Sequence, residues 1–455
     1  MRHHEPDREV FRKPGIVGAL VTRIFKMLTK TILGAGFLAL ADQAIVSAGN
    51  FLMSIFLARA LPPAEFGRYV LLFGMLVFAN SVQLSVVIYP LLTKGATLSS
   101  IKVHKFASNS VILTLAQGIP FGGVIGFLCA KFYDPSVAPW LIGALLMWQI
   151  QETVRRVLIS QLRYREVIVG DTVSYLGQSC FVYALIMINR LSFQNIFLVL
   201  ALTSFIGFCI QTYQLKLDKV DLNEIYTLAM DFWKIGQWIL LMTLVGFFTV
   251  QAFPWLLAVA SGLRQAASFQ ATLSILNFSN PVMFSISNII MISIARSHKT
   301  NSDPHEIRGI LVAHALQGMI VLLPCFIILF IFPTGILSLV YGSTSPYVSL
   351  GINLRLFSVS YLFIYISIIA SAYLGAFERN RSQFFIQLIG AIVACILCFP
   401  LISSFGARGA IIAITASSLV KAVVGLRYVA VLSLRGDSDS IISSSIDGRS
   451  ERVSF

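Results

Sequence analysis

The chain has 455 residues, of which 57% are hydrophobic and 12% are charged. Ordinary soluble domains are about 45–50% apolar and about 25% charged, so this composition excludes a typical soluble fold. The net charge of +14 raises nucleic-acid binding as an alternative. The basic residues are dispersed among short loops and form no patch with interleaved aromatic residues, so no nucleic-acid partner is expected.

Apolar segments of about 20 residues, the length that one helix needs to cross the hydrocarbon core, recur along the whole chain. Backbone groups in lipid must be satisfied within the segment, so runs of this length predict helices and not barrel strands. The predicted spans are 32–57, 69–92, 107–130, 138–158, 169–189, 195–215, 236–259, 266–294, 309–332, 353–375, 383–402 and 406–429. The sequence therefore predicts an all-α polytopic membrane protein with twelve transmembrane helices.

Lysine and arginine residues are concentrated in alternate loops. The side that includes the N-terminal tail carries 27 of the 34 basic residues, and the opposite side carries seven. By the positive-inside rule, this bias predicts that both termini are cytoplasmic. A missed or invented span would scramble the alternation, so the bias also supports the helix count.

Polar segments divide the chain. A basic tail at 1–31 contains an apolar stretch that is either a helix on the anionic inner leaflet or an unstructured segment. The longest internal polar segment, 216–235, is interpreted as a linker with an amphipathic surface helix. It separates an N-lobe at 32–215 from a C-lobe at 236–429. The Ser-, Asp- and Arg-containing tail at 430–455 is expected to be disordered.

The two halves show weak similarity at an offset of 200 positions. The matches are Leu57, Ala58, Ala60, Phe78 and Asn80 with Leu257, Ala258, Ala260, Phe278 and Asn280, and Tyr69 with Phe269. Each stretch covers the end of the lobe's first helix, the outer loop and the second helix. Equal orientation predicts a parallel repeat, related by an axis along the membrane normal.

Three short stretches carry a family resemblance. They are FLARALPPAEFGRYVLL at 56–72, QIQETVRRVLISQLRYR at 149–165 and LGAFERNR at 374–381. These stretches resemble the polysaccharide flippase family of the multidrug, oligosaccharidyl-lipid and polysaccharide exporter superfamily. The resemblance implies two six-helix lobes around a central cavity that opens alternately to each side. It also implies that the cargo is an undecaprenyl-diphosphate-linked saccharide, moved outward across a bacterial inner membrane.

Asp42 is the first candidate site residue, because a charge in mid-bilayer is expensive and often functional. It lies about ten residues, or roughly 15 Å, inside the first predicted span. We expect it to face the cavity. The resemblance further implies a coupling proton or sodium ion at Asp42, since some drug exporters of the superfamily use a first-lobe aspartate in this way. A purely structural pairing is the alternative.

A second group of charges occupies the inner end of the fourth span. Glu152 and Arg156 are spaced i, i+4 and can pair, while Arg155 and Arg156 offer guanidinium groups suited to a substrate diphosphate. Asp171 could pair with the arginines across the short loop. These four residues are candidates for diphosphate binding or a cytoplasmic gate, and interfacial anchoring is the alternative.

Uncharged polar residues within the spans could bind sugar hydroxyl groups in a wet cavity. The preferred cavity candidates are Asn50, Asn80, Gln83 and Asn280, with Asn80 and Asn280 as a repeat-related pair. Hydrogen bonds between helices explain the same residues equally well. Arg355, near the outer end of the tenth span, is a further candidate for phosphate binding or for anchoring at the interface.

Two other functions remain open at the sequence level. One is cation-coupled export of small drugs, and the other is a membrane glycan polymerase or ligase. The enzyme is disfavoured because the predicted external loops are short and no paired acids suited to glycosyl transfer are evident. No catalytic residue, metal site or cofactor is expected. Expected partners are membrane lipid and the lipid-linked saccharide, with polysaccharide polymerase or export machinery as an open addition to an otherwise monomeric protein.

Overall fold

The computed structural model describes residues 35–450 apart from 96, 97, 99, 221 and 300–302. Within this part the chain is helical and contains no β-strand. The basic tail at 1–31, including its proposed surface helix, lies outside the described residues. The expectation of an all-α polytopic membrane fold is confirmed.

Twelve long helices follow the predicted spans, most of them extended by about one turn at an end. Their bounds are α1 Ala35–Ala60, α2 63–95, α3 Ser100–Phe132, α4 Ala138–Ser160, α5 164–187, α6 Phe193–Leu215, α7 Leu222–Val250, α8 263–299, α9 Pro304–Ile331, α10 Gly351–Ala376, α11 Asn380–Phe405 and α12 Ala407–Ser450. Short helices at Phe253–Ser261 and Pro333–Tyr341 complete the outer loops. We call the end of the bundle at which α1 begins the inner end, following the predicted orientation.

Ten helices of the described chain are long and apolar enough to cross a membrane by length and composition. The exceptions among the twelve are α4 and α5. Both are of spanning length, but they carry the charged and amide side chains that meet inside the N-lobe. Their low hydropathy reflects a polar face that is buried in protein and not turned to lipid.

Three helices contain irregular turns. Helix α2 includes a π-helical segment at Leu84–Ile88 and α5 includes another at Thr172–Gly177. Helix α8 contains a 3₁₀ turn at Asn277–Ser279. Such segments break the regular hydrogen-bond ladder and change which side chains face a neighbour.

The packing of the helices is repeated in the two lobes. Helix α1 packs on α5 as α7 packs on α11, and α4 packs on α6 as α10 packs on α12. Between the lobes, α2 contacts α8. Helix α2 also contacts α7, and in the equivalent way α8 contacts α1. A parallel repeat predicts this exchange of partners, because a two-fold axis carries α1 onto α7 and α2 onto α8.

Burial in α2 and α8 follows the same offset of 200 positions. In α2 the buried residues include Phe66, Tyr69, Leu72, Leu76, Ala79 and Gln83. In α8 they include Ala266, Phe269, Thr272, Leu276, Ser279 and Met283. These equivalent positions form the stripe on which the two lobes meet. The equal pattern of burial supports the repeat that the weak sequence matches suggest.

Helix α7 departs from the predicted boundary. The polar segment 222–235 is not a separate surface helix, since it forms the first turns of the continuous helix Leu222–Val250. Its apolar stripe packs against the N-lobe, where the rings of Phe232 and Phe106 lie 5.9 Å apart. Two ion pairs flank this contact, Lys94 with Asp231 at 2.5 Å and Lys105 with Glu224 at 2.9 Å. The expected linker therefore continues directly into the first C-lobe helix.

Helix α12 also differs from its prediction. The composition of 430–455 predicts disorder, whereas the helix continues to Ser450. The sequence contains no proline after Pro400, so no residue beyond that point lacks the backbone donor that a helix needs.

Candidate functional site

A cavity of about 560 Å³ lies between the lobes. Its size falls within the range of roughly 300–1,000 Å³ that is usual for small-molecule sites. Helices α1, α2, α4 and α5 of the N-lobe line one side, and α7, α8, α10 and α12 of the C-lobe line the other. Because both lobes contribute to its wall, relative movement of the lobes would change the shape of this cavity.

Amide and hydroxyl side chains supply the polar part of the cavity wall. They are Gln43, Ser47, Asn50, Ser54, Gln178, Gln251, Gln270, Ser274, Asn277, Asn280, Tyr69 and Tyr361. No Asp, Glu, Lys or Arg is among the described lining residues. The cavity is therefore polar without carrying a formal charge.

Some of these polar groups are already hydrogen-bonded. Ser54 and Ser274 share a hydrogen bond of 2.7 Å that joins the two lobes across the cavity. The Asn277 carboxamide oxygen accepts from the Tyr361 hydroxyl at 3.0 Å and from Asn280 Nδ2 at 3.3 Å. These contacts fix the C-lobe wall.

Other amides remain free for a ligand. The side chains of Gln43, Asn50 and Gln251 have no hydrogen-bond partner within the described residues, and Asn50 and Gln251 are exposed to the cavity. Each carboxamide offers two donors and an acceptor. The N-lobe wall thus presents several unsatisfied donors and acceptors to the open space.

Aromatic rings provide the apolar part of the N-lobe wall. Tyr69 and Phe73 lie 5.6 Å apart with an interplanar angle of 18°, and Phe73 lies 5.8 Å from Trp148 at 15°. Trp255 approaches from the C-lobe side, and its indole nitrogen is close to Gly74. Near-parallel rings of this kind form flat surfaces on which apolar C–H groups can pack.

A second polar centre is buried inside the N-lobe. Its core is the Arg155 guanidinium, whose side chain is 4% exposed. Arg155 donates to Asp42 Oδ2 at 2.7 Å, to Asp171 and to Glu152 at 3.2 Å. Arg156 donates to Glu152 Oε1 at 2.6 Å. This network ties α1 to the consecutive helices α4 and α5.

Amides complete the shell of the network. Gln211 on α6 donates to Asp171 Oδ1 at 3.1 Å, and Gln151 donates to the same oxygen at 3.4 Å. Asp42 Oδ1 and Gln151 Oε1 are buried and have no partner within the described residues. Three carboxylates and two guanidinium groups leave the cluster one negative charge in excess when all are ionised.

The structure brings the four inner-end candidates together and adds Asp42 to them. Asp171 pairs with Arg155, and Glu152 pairs with Arg156 as their spacing suggests. Asp42 was expected to face the cavity, but it is 3% exposed and lies against Arg155 inside the lobe. No local pattern could indicate this contact, because 113 positions separate Asp42 and Arg155.

The amide candidates divide between the cavity and the helix interfaces. Asn50 and Asn280 line the cavity. Asn80 and Gln83 do not: Asn80 Oδ1 is buried without a partner, and Gln83 donates to the Gln149 carbonyl at 2.8 Å and to Thr153 at 3.0 Å. For Gln83, hydrogen bonding between α2 and α4 is the better interpretation.

Arg355 lies outside the cavity as well. It donates to the Phe330 carbonyl at 2.9 Å and stacks on the Phe330 ring. An anchoring role fits this geometry, since the guanidinium holds the outer end of α10 to α9. Residues that the sequence did not single out also line the cavity, including Gln43, Trp148, Gln178 and Trp255.

At the outer end, Arg59 joins the lobes through backbone groups. It donates to the Val340 carbonyl at 2.7 Å and to the Leu339 carbonyl at 2.9 Å, near the end of the short helix Pro333–Tyr341. A cation at this position also interacts favourably with the helix dipole. The Leu-Ala-Arg stretch of α1 therefore ends in an inter-lobe contact.

Solved structures share this arrangement of helices. An inward-facing multidrug resistance MATE family transporter of the MOP superfamily aligns with a TM-score of 0.68 and 14% identity, covering 91% of this chain and 99% of its own. The chain has the MATE transporter fold. An outward-facing MATE family transporter aligns with a TM-score of 0.65 and 12% identity, covering 88% and 95% of the two chains.

A MOP superfamily transporter from Pyrococcus furiosus also has this fold, with a TM-score of 0.61 and 12% identity over 87% of this chain and 96% of its own. No family model matches the sequence, and no curated protein matches it. At these identities the likeness concerns the fold, so function has to be argued from the cavity and the buried network.

Proposed function

We propose that the chain is a membrane transporter that moves a lipid-linked oligosaccharide from the inner to the outer face of a bacterial inner membrane by alternating access. The observation that carries this proposal is the inter-lobe cavity, which is lined by amides, hydroxyls and aromatic rings without a formal charge. The MATE fold supports movement of the lobes, because solved relatives of this fold are described as inward-facing and outward-facing.

A saccharide matches the chemistry of the cavity wall. Its hydroxyl groups both donate and accept hydrogen bonds, as do the free carboxamides of Gln43, Asn50 and Gln251. The apolar faces of sugar rings carry C–H groups that can pack on the surfaces of Tyr69 and Trp148. A neutral, hydroxyl-rich ligand leaves no charge unpaired in this cavity.

The buried network bears on how transport is driven. Arg155 already supplies positive charge to Asp42 and Asp171, so a sodium ion would have to compete with a guanidinium held by the chain itself. A proton fits better, because Asp42 Oδ1 is unpartnered. We propose that any coupling ion at Asp42 is a proton.

Transport can be tested in proteoliposomes that contain a fluorescent lipid-linked oligosaccharide. Movement is measured as the fraction of label that a membrane-impermeant quencher reaches over time. We expect Trp148→Ala to slow movement about tenfold or more, because it removes one ring of the cavity wall. Trp140→Ala is the matched control, since Trp140 lies on the same helix, is 40% exposed and does not line the cavity.

Equal rates for the wild type and for empty liposomes would refute the flippase proposal. Equal slowing by the two tryptophan variants would refute the role of the cavity in this transport, since Trp140 does not line the cavity.

Drug export is the second candidate, favoured by the names of the structural neighbours, which include multidrug resistance transporters. Trp148, Phe247, Trp255 and Phe284 would provide apolar contacts for such a cargo. A cationic drug would find no carboxylate among the described lining residues. Expression in a drug-sensitive strain separates the candidates: restored tolerance with unaltered surface polysaccharide favours export of drugs.

A further inference from the structure

Lys421 is a buried cation that the transport proposal leaves unused. It lies on α12 and is 8% exposed. Its side chain packs over Gly390 on α11, where an added Cβ would overlap the Lys421 Cγ and Cδ atoms. Because Gly390 is ten residues into α11, this contact lies about 15 Å from the inner end of that helix. Lysine at such a depth is rare and is usually functional.

The other buried charges of the described chain are paired, but Lys421 is not. Asp42, Arg155 and Asp171 belong to one ion network. Among the described residues, Arg155 and Lys421 are the only buried arginine and lysine. Lys421 has no ion pair or hydrogen bond to any described side chain. From Leu263 to Leu432 the sequence contains just three carboxylates, Asp303, Glu306 and Glu378, and all three are exposed.

The repeat shows what occupies the equivalent place in the N-lobe. Gly207 and Gln211 on α6 pack against Gly170 on α5. In the C-lobe, Gly390 on α11 takes the place of Gly170. Ser417 on α12 takes the place of Gly207 and donates to the Gly390 carbonyl at 2.7 Å. Lys421 packs over the same glycine, as Gln211 packs over Gly170. Lys421 thus corresponds to Gln211, which in the N-lobe contacts Asp171.

The residue after Gly390 is Ala391, whereas the residue after Gly170 is Asp171. The C-lobe therefore keeps a cation at this place and lacks the carboxylate that the N-lobe provides. The two remaining described acids of the C-lobe, Glu224 and Asp231 on α7, pair with Lys105 and Lys94. No described acid of the C-lobe therefore supplies a counter-charge to Lys421.

The position of Lys421 relative to the cavity suggests the source of that charge. Ile414 lines the cavity, and Lys421 follows it by seven residues on the same face of α12, about 10 Å nearer the inner end. The cavity itself offers no charged group to the phosphates of a lipid-linked saccharide. Arg155, the other buried cation, is already surrounded by three carboxylates.

We propose that Lys421 is an anion-binding residue of the C-lobe that takes a phosphate group. The proposal rests on the proposed function in one respect: it assigns the diphosphate of the lipid-linked saccharide to Lys421 when the sugars occupy the cavity. It replaces the expectation that Arg155 and Arg156 bind the diphosphate, because both guanidinium groups are engaged by Glu152.

Binding can be measured on the purified chain in detergent with three probes: farnesyl diphosphate, inorganic pyrophosphate and farnesol. We expect farnesyl diphosphate to bind and farnesol to bind no better than background. Lys421→Met should weaken the binding of the diphosphate about tenfold to a hundredfold, because one charge-assisted contact is lost, while Lys421→Arg should retain it. Lys234→Met is the control, since the Lys234 side chain is 71% exposed.

Thermal unfolding without ligand separates a binding role from a structural one. Lys421→Met should unfold at a higher temperature than the wild type, because an unpaired buried cation has been removed. A structural lysine predicts the opposite shift. Lys421→Gln, which keeps a polar side chain, serves the same comparison if the methionine variant does not fold.

Pyrophosphate binding that Lys421→Met abolishes would show that free phosphate suffices, and binding of farnesyl diphosphate alone would show that the phosphate must be carried by a lipid. Both results support the proposal. Equal affinity of the wild type and Lys421→Met, or no diphosphate binding by the wild type, would overturn it. Phosphate binding through Lys421 in a protein that moves no lipid-linked saccharide would refute the proposed function alone.

Discussion

The two lobes share a helix arrangement but differ in what they bury. The N-lobe encloses a network of three carboxylates and two arginines around Arg155. In the described part of the C-lobe, Lys421 is the one buried lysine or arginine. The same helix arrangement therefore accommodates a network of paired charges in one lobe and an unpaired lysine in the other. Duplication fixes where helices pack, whereas the buried polar groups are free to diverge once each lobe has a separate task.

The largest effect is expected where the N-lobe network is broken. Replacement of Arg155 by methionine leaves Asp42, Asp171 and Glu152 without their shared partner. Removing one member of a buried ion pair typically costs about 3–5 kcal/mol, and the unfolding free energy can be measured by titration with a denaturing detergent. Arg156→Met is the matched control with an expected cost of about 1 kcal/mol or less, because the Arg156 side chain is 29% exposed and its ion pair with Glu152 is partly open to solvent.

Equal costs for the two arginine variants would mean that the network contributes no more than a surface pair. A larger cost for Arg155→Met that is partly relieved by adding Asp42→Asn would confirm that the uncompensated carboxylate is the cause.

A smaller effect is expected where the lobes meet. Gly67 lies so close to Leu263 that an added Cβ would overlap the Leu263 carbonyl oxygen, whereas its repeat equivalent at 267 is a buried alanine. Gly67→Ala should therefore force the outer ends of α2 and α8 apart by a few tenths of an ångström or more and destabilise the contact between these two ends. Overpacking of this kind typically costs about 1–3 kcal/mol.

Spin labels on the outer loops of the two lobes would measure this change as a longer distance in Gly67→Ala than in the wild type. Gly246→Ala is the control, because an added Cβ at that position meets nothing within 4 Å. An unchanged distance distribution in Gly67→Ala would show that the lobes absorb the extra methyl group elsewhere.

The smallest effect concerns the contact between the inner ends of α2 and α7. The α7 end is held to the N-lobe by Lys94 and Asp231, whose side chains are 34% and 38% exposed. Lys94→Gln should cost about 0.2–1 kcal/mol at low salt and almost nothing at 1 M salt, where charges are screened within about 3 Å. Unfolding titrations at the two salt concentrations would check this, and an effect independent of salt would contradict an electrostatic origin.

The sequence specified the helices better than the site. Spans such as 195–215 and 353–375 were predicted correctly because an apolar run of about 20 residues forms a transmembrane helix in a bilayer. The polar spans α4 and α5 were found as well, because alternation of basic loops required them. The start of α7 was missed, since the polar residues of 222–235 have a helical pattern that fits a surface helix and a helix packed on the N-lobe equally well.

The site depended on contacts between distant residues, which no local pattern encodes. Asp42 and Asn80 are both polar groups inside apolar spans, yet neither lines the cavity, and Asn50 does. Rotation of a helix by one residue, about 100°, would decide whether such a side chain faces the cavity or a neighbouring helix. Lys421 is one of the 27 basic residues that the sequence places on the side of the N-terminal tail. Its burial depends on the packing of α11 against α12.

The π-helical segment at Leu84–Ile88 has a consequence for the register of α2. A π turn accommodates one residue more than an α turn, and one residue corresponds to about 100° of rotation. Everything after Ile88, including Lys94, is therefore turned relative to the half of α2 that faces α8. Deletion of one residue between 84 and 88 would leave the cavity side of α2 in place and swing Lys94 away from Asp231, so that this short segment sets the angular phase between the two halves of the helix.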